Sequence, residues 1–358
     1  LNELQVSNRL WNDFQEPQLQ ETINTLKRCT PLERAYFQRF FTFVSKEQIL
    51  SKTGGKNDSS NGFAGLWHTP LAEKIESGNI LLGLTVTEKR QSGPGKGYDI
   101  IELHIPQQGE DFLPNFRTGD IIIFYAYQKE PDVRQQILMK GNILDIQANS
   151  LTILLRNGQQ NKDIIGGADE VFAVEHDSSD SSAMNAMRGL YAFLSARTDR
   201  KELLLGLRTP GKHPERTLNG SYGRFDELIL KEKQTDDYFL LVGPPGTGKT
   251  SCALRYMVEE ALTDPEASLL LLSYTNRAVD EICSMLVDSG IAESTPFIRI
   301  GSELSCDKRF APYLLKNSLA DCPKLTDIQQ KIAHTRIFTG TTTAINSRLH
   351  LFNLKHFT

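Results

Sequence analysis

The sequence predicts an α/β protein in which a parallel-sheet core follows a helical region and a small antiparallel β-barrel. Three periodicities predict this order. Apolar residues recur at threes and fours near the N-terminus, then at every second position from residue 80, and beyond residue 208 short apolar runs alternate with helical stretches. We therefore divide the 358 residues into a helical region, 1–79, a barrel, 80–176, a helical stalk, 177–207, and a core, 208–358.

The helical region rests on two stretches with helical spacing, VSNRLWNDFQEPQLQETINTL and PLERAYFQRFFTFVSKEQIL, and a flexible loop, SKTGGKNDSSNG, follows at 51–62. The barrel rests on six β-rich runs separated by turn residues: ILLGLTVTEKR, YDIIELHI, DIIIFYAY, QILMKGNILDI, LTILLR and VFAVEH. Such barrels hold oligonucleotides or serve as scaffolding, and both interpretations stay open. The stalk returns to helix, with Asp and Ser at 177–182 as N-caps, and 208–223 is predicted to be a linker.

The core contains four apolar runs that predict parallel strands: YFLLV at 238–242, SLLLLSY at 268–274, PFIRI at 296–300 and RIFTG at 336–340. Helical stretches from Ser251 and from Asn276 separate the first three of these runs. Strands that alternate with helices predict a parallel sheet with crossover helices, as in a RecA-like core.

The overall composition limits the possible functions but does not identify one. The net charge is −4, from 40 basic and 44 acidic residues, so any contact with nucleic acid must come from a local groove. The five cysteines form no C-x-x-C pair and indicate reduced thiols. The N-terminus lacks the order of a signal peptide, and no apolar run is long enough to span a membrane. We therefore expect a cytoplasmic protein. Because the chain begins without methionine, we also expect it to be part of something longer.

A phosphate-binding loop is predicted at GPPGTGKT, residues 243–250, between the first strand and the helix that follows it. Closely spaced glycines let successive backbone N–H groups point inward, and a helix N-terminus adds positive potential. Lys249 is predicted to reach the β- and γ-phosphates and the Thr250 hydroxyl to ligate Mg²⁺, which makes these two the candidate catalytic residues. A Gly/Pro turn before an ordinary helix is the alternative. The predicted nucleotide-binding residues are Gly243, Pro244, Pro245, Gly246, Thr247, Gly248, Lys249, Thr250 and Ser251, together with Tyr222 upstream of the loop.

A second polar site is predicted at the end of the second strand of the core, in SYTNRAVDEIC, residues 273–283. Ligands of open parallel sheets bind beyond the carboxyl ends of the strands, so Thr275 and Asn276 should face the same side as the phosphate-binding loop. A hydroxyl and an amide at a helix start suit contacts to a phosphate backbone. A plain helix N-cap is the alternative interpretation.

GPPGTGKT followed by LLLLSYTNRAVDEI strongly resembles motifs I and Ia of superfamily 1 helicases of the 5′-to-3′ branch. RIFTGTTTAI, residues 336–345, looks like the strand and threonine-rich loop that contact the nucleic-acid backbone in that family. The resemblance implies an incomplete RecA-like P-loop lobe, an ATP-dependent helicase that uses ATP and Mg²⁺, and a single-stranded DNA or RNA partner. It also implies that Thr341, Thr342 and Thr343 join Thr275 and Asn276 in binding the strand.

Two departures from the family pattern stand out. The family places a glutamine that reads adenine upstream of motif I, where LNGSYGRF, residues 218–225, has Tyr222 instead; stacking of this ring on the base and core packing both remain open. The family also places an acidic pair after a strand downstream of the threonine loop. The Asp-Glu pairs here lie at 169–170, 226–227 and 280–281, none of them in that place. We therefore expect the front half of a helicase that does not hydrolyse ATP by itself.

Two other classes of protein fit the phosphate-binding loop. AAA+ ATPases, which remodel proteins or load clamps as rings, carry the same loop, whereas TNRAVDEI and GTTTA argue against that class. A non-catalytic nucleotide-binding module is the third possibility. The sequence does not decide the oligomeric state, and a monomer is our expectation.

Overall fold

The computed structural model describes residues 13, 15–54, 65–109, 112–167, 170–177 and 181–358. The chain divides into two compact units. One contains Leu1–Phe40 together with Met187–Thr358, and the other contains Phe41–Ala186. The four-part division predicted from the sequence stays a prediction. Within the described ranges, no helix combines the length and the apolar character needed to cross a membrane.

Helices make up most of the described part of the N-terminal region and of the stalk, as the spacing of apolar residues predicts. The start of the first predicted helical stretch, at 6–12 and 14, lies outside the described residues. In the first unit, rings of the second helix pack on the stalk: Tyr36 lies 4.8 Å from Phe193 and Phe37 lies 5.6 Å from Tyr191, measured between centroids. Residues 51–53 of the predicted loop continue the second helix instead, because the Gly54 N–H still donates to the Leu50 carbonyl, and 55–62 lie outside the described residues. Of the predicted caps at 177–182, 178–180 lie outside the described residues, and 181–182 already belong to the first stalk helix. The helices are α1 (Glu16–Arg28), α2 (Pro31–Thr53), α3 (Gly65–His68), α4 (Leu71–Glu76), α5 (Ser181–Ser195) and α6 (Thr198–Leu204).

The second unit is built around a closed barrel of six antiparallel strands in the order β1-β2-β5-β4-β3-β6. Alternate residues point inward and are fully buried, among them Leu103, Phe124 and Phe172, which belong to one apolar cluster. Glu175 on the last strand accepts hydrogen bonds from Lys74 Nζ at 2.5 Å and from the Tyr125 hydroxyl at 2.6 Å, which ties α4 to the barrel. The strands are β1 (Ile80–Gln91), β2 (Tyr98–His104), β3 (Ile121–Tyr127), β4 (Met139–Ile146), β5 (Ser150–Gln159) and β6 (Val171–His176).

The first unit contains a parallel sheet of three strands in the order β7-β9-β8. The strands are β7 (Leu269–Ser273), β8 (Phe297–Ile300) and β9 (Ile337–Thr341). All residues of β8 and β9 are buried, as expected for strands covered on both faces. The helices of this unit after the stalk are α7 (Asp226–Lys233), α8 (Arg255–Ala261), α9 (Asn276–Asp288), α10 (Ile291–Ser294), α11 (Leu315–Ser318), α12 (Leu325–His334) and α13 (Thr342–Asn346).

The structure corrects one predicted strand. YFLLV, at 238–242, is irregular, and its Leu240 and Val242 side chains are 77% and 93% exposed. An apolar run becomes a strand only where a neighbouring strand supplies hydrogen-bonding partners, and none of the described strands pairs with this run. The α/β class, the antiparallel barrel and a parallel sheet are confirmed. The assignment of that sheet to a RecA-like P-loop core stays a prediction.

Candidate functional site

The predicted phosphate-binding loop, 243–250, leads from the irregular run at 238–242 into a wide helical turn. Gly246 and Gly248 have φ values of +77° and +83°, in the left-handed region that residues with a side chain adopt at a cost. The N–H groups of Cys252 and Ala253 both donate to the Gly248 carbonyl, at 2.9 and 3.0 Å. This sharing produces a π-helical segment, Lys249–Leu254, before the regular helix α8. Single π turns of this kind are frequent at functional sites.

The Lys249 ammonium folds back over its own loop. Its Nζ donates to the carbonyl oxygens of Gly243 and Pro244, at 2.6 and 2.7 Å, and the Thr247 hydroxyl donates to the same Pro244 oxygen at 2.8 Å. Carbonyl oxygens satisfy this cation only partly, so a phosphate, which carries full negative charge, is the stronger partner. The loop therefore presents its lysine next to the backbone that would cradle a phosphate.

A cavity of about 680 Å³ opens beside the loop, within the size range of small-molecule sites. Its walls come from the loop, from the start of α8 and from one face of α9. The α9 residues 281, 284, 285 and 288 recur at helical spacing, and this spacing is the signal in the sequence that could have predicted the wall. Of the predicted nucleotide-binding residues, Gly243, Pro244, Thr247 and Tyr222 are not among the lining residues. Those are Pro245, Gly246, Gly248, Lys249, Thr250, Ser251, Arg255, Glu281, Ser284, Met285, Asp288 and Ser289.

The ends of β7 and β9 bring two polar helix starts side by side. Ser273 and Thr341, the last residues of these neighbouring parallel strands, are paired in register. The Thr275 hydroxyl oxygen accepts from the Ala278 N–H at 3.2 Å and caps α9. The Thr341 hydroxyl oxygen accepts from the Ala344 N–H at 3.1 Å and caps α13. Both threonines are therefore N-caps, whose hydroxyl hydrogens remain free to donate.

The threonine-rich segment is not a loop, which corrects the expectation from the sequence. Thr341 ends β9 and is buried, while Thr342 and Thr343 form the first turn of α13. Thr342 is exposed, as are Thr275 and Asn276 on the adjacent helix start. The structure therefore brings the two predicted clusters to one edge of the sheet.

Tyr222 lies in an aromatic cluster beside the P-loop helix. Its ring centroid is 5.2 Å from that of Tyr256 on α8, and Phe225 lies 5.5 Å from the same ring. The Tyr222 hydroxyl donates to Glu260 at 2.7 Å. Burial, and then this carboxylate, raise the pKa of the tyrosine, so the hydroxyl stays protonated at neutral pH. Tyr222 does not line the cavity, but its neighbour Tyr256 directly follows Arg255, which does.

The acidic pairs have different surroundings. Asp226 accepts from the Tyr222 N–H, and Glu227 accepts from Lys231 at 2.6 Å. Asp280 forms an ion pair at 2.8 Å with Arg299 on β8, whose side chain is fully buried. Glu281 lines the cavity. Glu170 accepts from two backbone N–H groups in a barrel turn, whereas residue 169 lies outside the described residues.

A magnesium ion fits the donors at this cavity. Mg²⁺ is usually held by one or two protein oxygens together with phosphates and water, rather than by a full protein cage. The Thr250 hydroxyl and the Glu281 carboxylate line the cavity with Lys249 and could supply those oxygens. In the part of the chain that the structure describes, no group of three or more His, Cys, Asp and Glu side chains is arranged to hold a metal.

Comparison with known proteins shows which proteins the C-terminal part of the chain is similar to. Residues 226–350 match the family model of an AAA domain. Among curated proteins, the chain is similar to DNA replication ATP-dependent helicase/nucleases: JHS1 of Arabidopsis thaliana, 34% identical over 123 residues, DNA2 of Mus musculus, 26% over 274 residues, and DNA2 of Saccharomyces cerevisiae, 30% over 131 residues. These matches cover 34%, 71% and 37% of this chain. They confirm the resemblance to superfamily 1 helicases.

The chain spans only a small part of these relatives, because the matched regions cover 9%, 24% and 8% of their lengths. The similarity to the mouse protein extends over most of the present chain, whereas the Arabidopsis and yeast matches are confined to about a third of it.

Proposed function

We propose that this chain binds Mg-ATP and single-stranded nucleic acid as part of an ATP-dependent helicase or translocase. The proposal rests on one observation. The neighbouring parallel strands β7 and β9 end in register, and each leads into a helix whose first residues are polar and exposed. Both helix starts belong to the unit that also contains the P-loop. The names of the relatives, DNA replication helicase/nucleases, favour DNA as the strand.

Each residue of the nucleotide site has a separate role. When bound, Mg²⁺ neutralises phosphate charge and orients the terminal phosphate. The Thr250 hydroxyl would hold the ion, and Lys249 would leave the carbonyls of Gly243 and Pro244 to stabilise charge on the β- and γ-phosphates. The backbone of the loop supplies N–H donors for the remaining phosphate oxygens.

Helix α9 connects the two binding sites. Its first residues, Thr275 and Asn276, lie at the proposed strand-binding edge, and its middle, from Glu281 to Asp288, forms a wall of the cavity. A helix of this length is rigid, so a nucleotide that shifts the middle of α9 also shifts Thr275 and Asn276 at its start. This geometry supports coupling between nucleotide occupancy and the grip on a strand.

Lys249→Ala tests the nucleotide site. We expect the chain with wild-type sequence to bind a fluorescent ATP analogue in the presence of Mg²⁺, and the variant to bind at least tenfold more weakly, because it lacks the phosphate-facing charge. Lys316→Ala, on α11 and away from the cavity-lining residues, is the matched control. Equal affinity of the Lys249 variant and the wild type would contradict the P-loop assignment.

Asn276→Ala combined with Thr342→Ala tests the strand site. Neutral amide and hydroxyl contacts follow the phosphates and displace few counterions, so we expect weaker binding of single strands of any sequence with little change in the salt dependence. Fluorescence anisotropy with labelled homopolymers at two salt concentrations measures both quantities. Unchanged affinity in the double variant would mean that these residues only cap and pack their helices.

We also expect the 358 residues by themselves to hydrolyse ATP no faster than background. Hydrolysis needs one carboxylate that helps to hold Mg²⁺ and a second one that polarises the attacking water. Among the described residues of the Asp-Glu pairs, Glu281 alone lines the cavity. A measurable steady-state phosphate release would point to this carboxylate, and Glu281→Gln would then abolish the release.

A further inference from the structure

Glu260, near the end of the P-loop helix α8, fastens the segment that precedes the P-loop. The residue is 3% exposed, and its carboxylate accepts four hydrogen bonds. The donors are the backbone N–H groups of Asn219 and Gly220, at 2.8 and 3.0 Å, the Tyr222 hydroxyl, at 2.7 Å, and the Lys233 ammonium. A buried carboxylate is costly unless its lone pairs are satisfied, so this arrangement holds the segment 219–222 in one conformation.

Two side-chain donors of this segment are engaged within the protein. The Asn219 side-chain amide donates to the Thr263 hydroxyl at 2.7 Å, and the Tyr222 hydroxyl donates to Glu260. The Arg224 guanidinium lies over the Phe225 ring, 5.1 Å from its centroid. Side chains distinguish one base from another through the donors and acceptors that they offer to the base edge. The Asn219 amide N–H and the Tyr222 hydroxyl hydrogen are already used within the protein.

Aromatic side chains of this segment and of its neighbours lie close to the cavity. Tyr222, Phe225 and Tyr256 form one cluster, and each ring is only partly buried. Arg255, which lines the cavity, lies over the Tyr256 ring at 5.6 Å from its centroid. The cluster therefore adjoins the wall of the phosphate site, where the base of a bound nucleotide needs a partner.

We propose that Tyr222, Phe225 and Tyr256 form a stacking surface for the base and that Glu260 is its positioning residue. Every base has a π face, so stacking tolerates all bases, while rejection of an analogue requires hydrogen bonds to the base edge. The Asn219 and Tyr222 donors are not available for this, because they bind Thr263 and Glu260. The site accordingly binds the four ribonucleoside triphosphates with similar affinity. This inference rests on the proposed function, since it extends the same P-loop site to a wider class of substrates.

Competition binding tests the base tolerance. Unlabelled ATP, GTP, CTP, UTP and inorganic tripolyphosphate each displace a fluorescent ATP analogue from the wild-type chain at fixed Mg²⁺. We expect dissociation constants within about fivefold of one another for the four nucleotides, and weaker binding of tripolyphosphate, which has no base to stack. A preference for ATP of about fiftyfold or more would overturn the inference and leave the proposed function intact. Failure of all nucleotides to bind would overturn both.

Two variants test the positioning role. Tyr222→Ala should weaken every nucleotide by about tenfold, the scale of one lost stacking contact, and leave tripolyphosphate unchanged. Glu260→Gln should weaken every nucleotide to a similar extent, because its amide N–H₂ opposes the donors that the carboxylate accepts from. Tyr98→Ala, on barrel strand β2, is the matched control. If Glu260→Gln weakens tripolyphosphate as much as the nucleotides, the residue only stabilises α8 and the positioning role is wrong.

Discussion

The Glu260 carboxylate lies where two effects oppose its charge. It is the residue before the last in α8, so it faces the negative end of the helix dipole, and it is almost fully buried. Burial raises the pKa of this carboxyl, but the hydrogen bonds from Lys233, from the Asn219 and Gly220 backbone and from Tyr222 outweigh burial and hold the pKa at about 2. Its ionised form is therefore part of the folded structure.

A prediction about acid stability follows for Glu260→Gln. A carboxyl with a lowered folded pKa stabilises the fold above its unfolded pKa of about 4.5 and loses that contribution as the pH falls towards about 2. The wild type should lose up to about 3 kcal/mol over this window, and the variant should lack this component of the loss. Urea unfolding of both proteins at pH 7, 4 and 3 measures the difference. If the free energies of unfolding of the two proteins changed in parallel with pH, the low pKa assigned to the Glu260 carboxyl would be contradicted.

At the scale of elements, local patterns identified most segments but not their partners. Alternation predicted all six barrel strands, because each strand has one face towards its own core. The order β1-β2-β5-β4-β3-β6 could not be predicted, since pairing depends on contacts between distant residues. The same limit explains YFLLV, at 238–242, whose composition favours a strand although the described strands leave it without a partner.

The candidate site was predictable where a motif fixes the spacing of its residues. GPPGTGKT identified Lys249 and Thr250, both of which line the cavity. The α9 wall was missed because Glu281 and Asp288 acquire their place only when the helix packs beside the loop. Glu260 was missed for a similar reason: its four donors come from positions 27 to 41 residues earlier in the chain.

The segment predicted to be a linker, 208–223, is held by hydrogen bonds to two aspartates in the turn after α7. Asp237 accepts from Arg208 at 2.9 and 3.0 Å and from the Gly211 N–H at 2.8 Å. His213 contacts Asp236 through Nε2 and Glu215 through Nδ1, at 2.8 Å for the latter. Gly and Pro in this stretch indicated a turn-rich segment, but its ordering depends on carboxylates more than twenty residues away.

A second pH prediction concerns His213. Hydrogen bonds to Glu215 and then to Asp236 raise its pKa, so the protonated form is favoured in the folded protein. A raised pKa gives stability that is fully present below the unfolded pKa of about 6.5 and disappears as the pH rises through the folded value. His213→Gln should therefore lower the melting temperature at pH 5.5 more than at pH 9. His356→Gln, near the C-terminus, is the matched control, and an equal loss at both pH values would contradict the charge-based role.

At the scale of the whole molecule, each of the two units has its own apolar core. The barrel encloses Leu103 with Leu84 and Phe172. The P-loop unit packs α9 against its sheet through Leu286, Val279 and Phe297. Only the P-loop unit contains the predicted nucleotide-binding residues, so a nucleotide should stabilise that unit directly.

A pair of core variants tests this division of stability. Leu103→Ala and Leu286→Ala each remove a fully buried side chain, and each should cost about 2–5 kcal/mol in its own unit. We expect Leu103→Ala to increase hydrogen exchange at the barrel amides while the affinity for Mg-ATP stays within twofold of the wild type. Leu286→Ala should increase exchange in α9 and β7–β9, and saturating Mg-ATP should reverse part of that increase, since binding favours the folded P-loop unit. If Leu103→Ala weakened nucleotide binding as strongly as Leu286→Ala, the chain would unfold as one cooperative body, and the barrel would contribute to the nucleotide site through its stability.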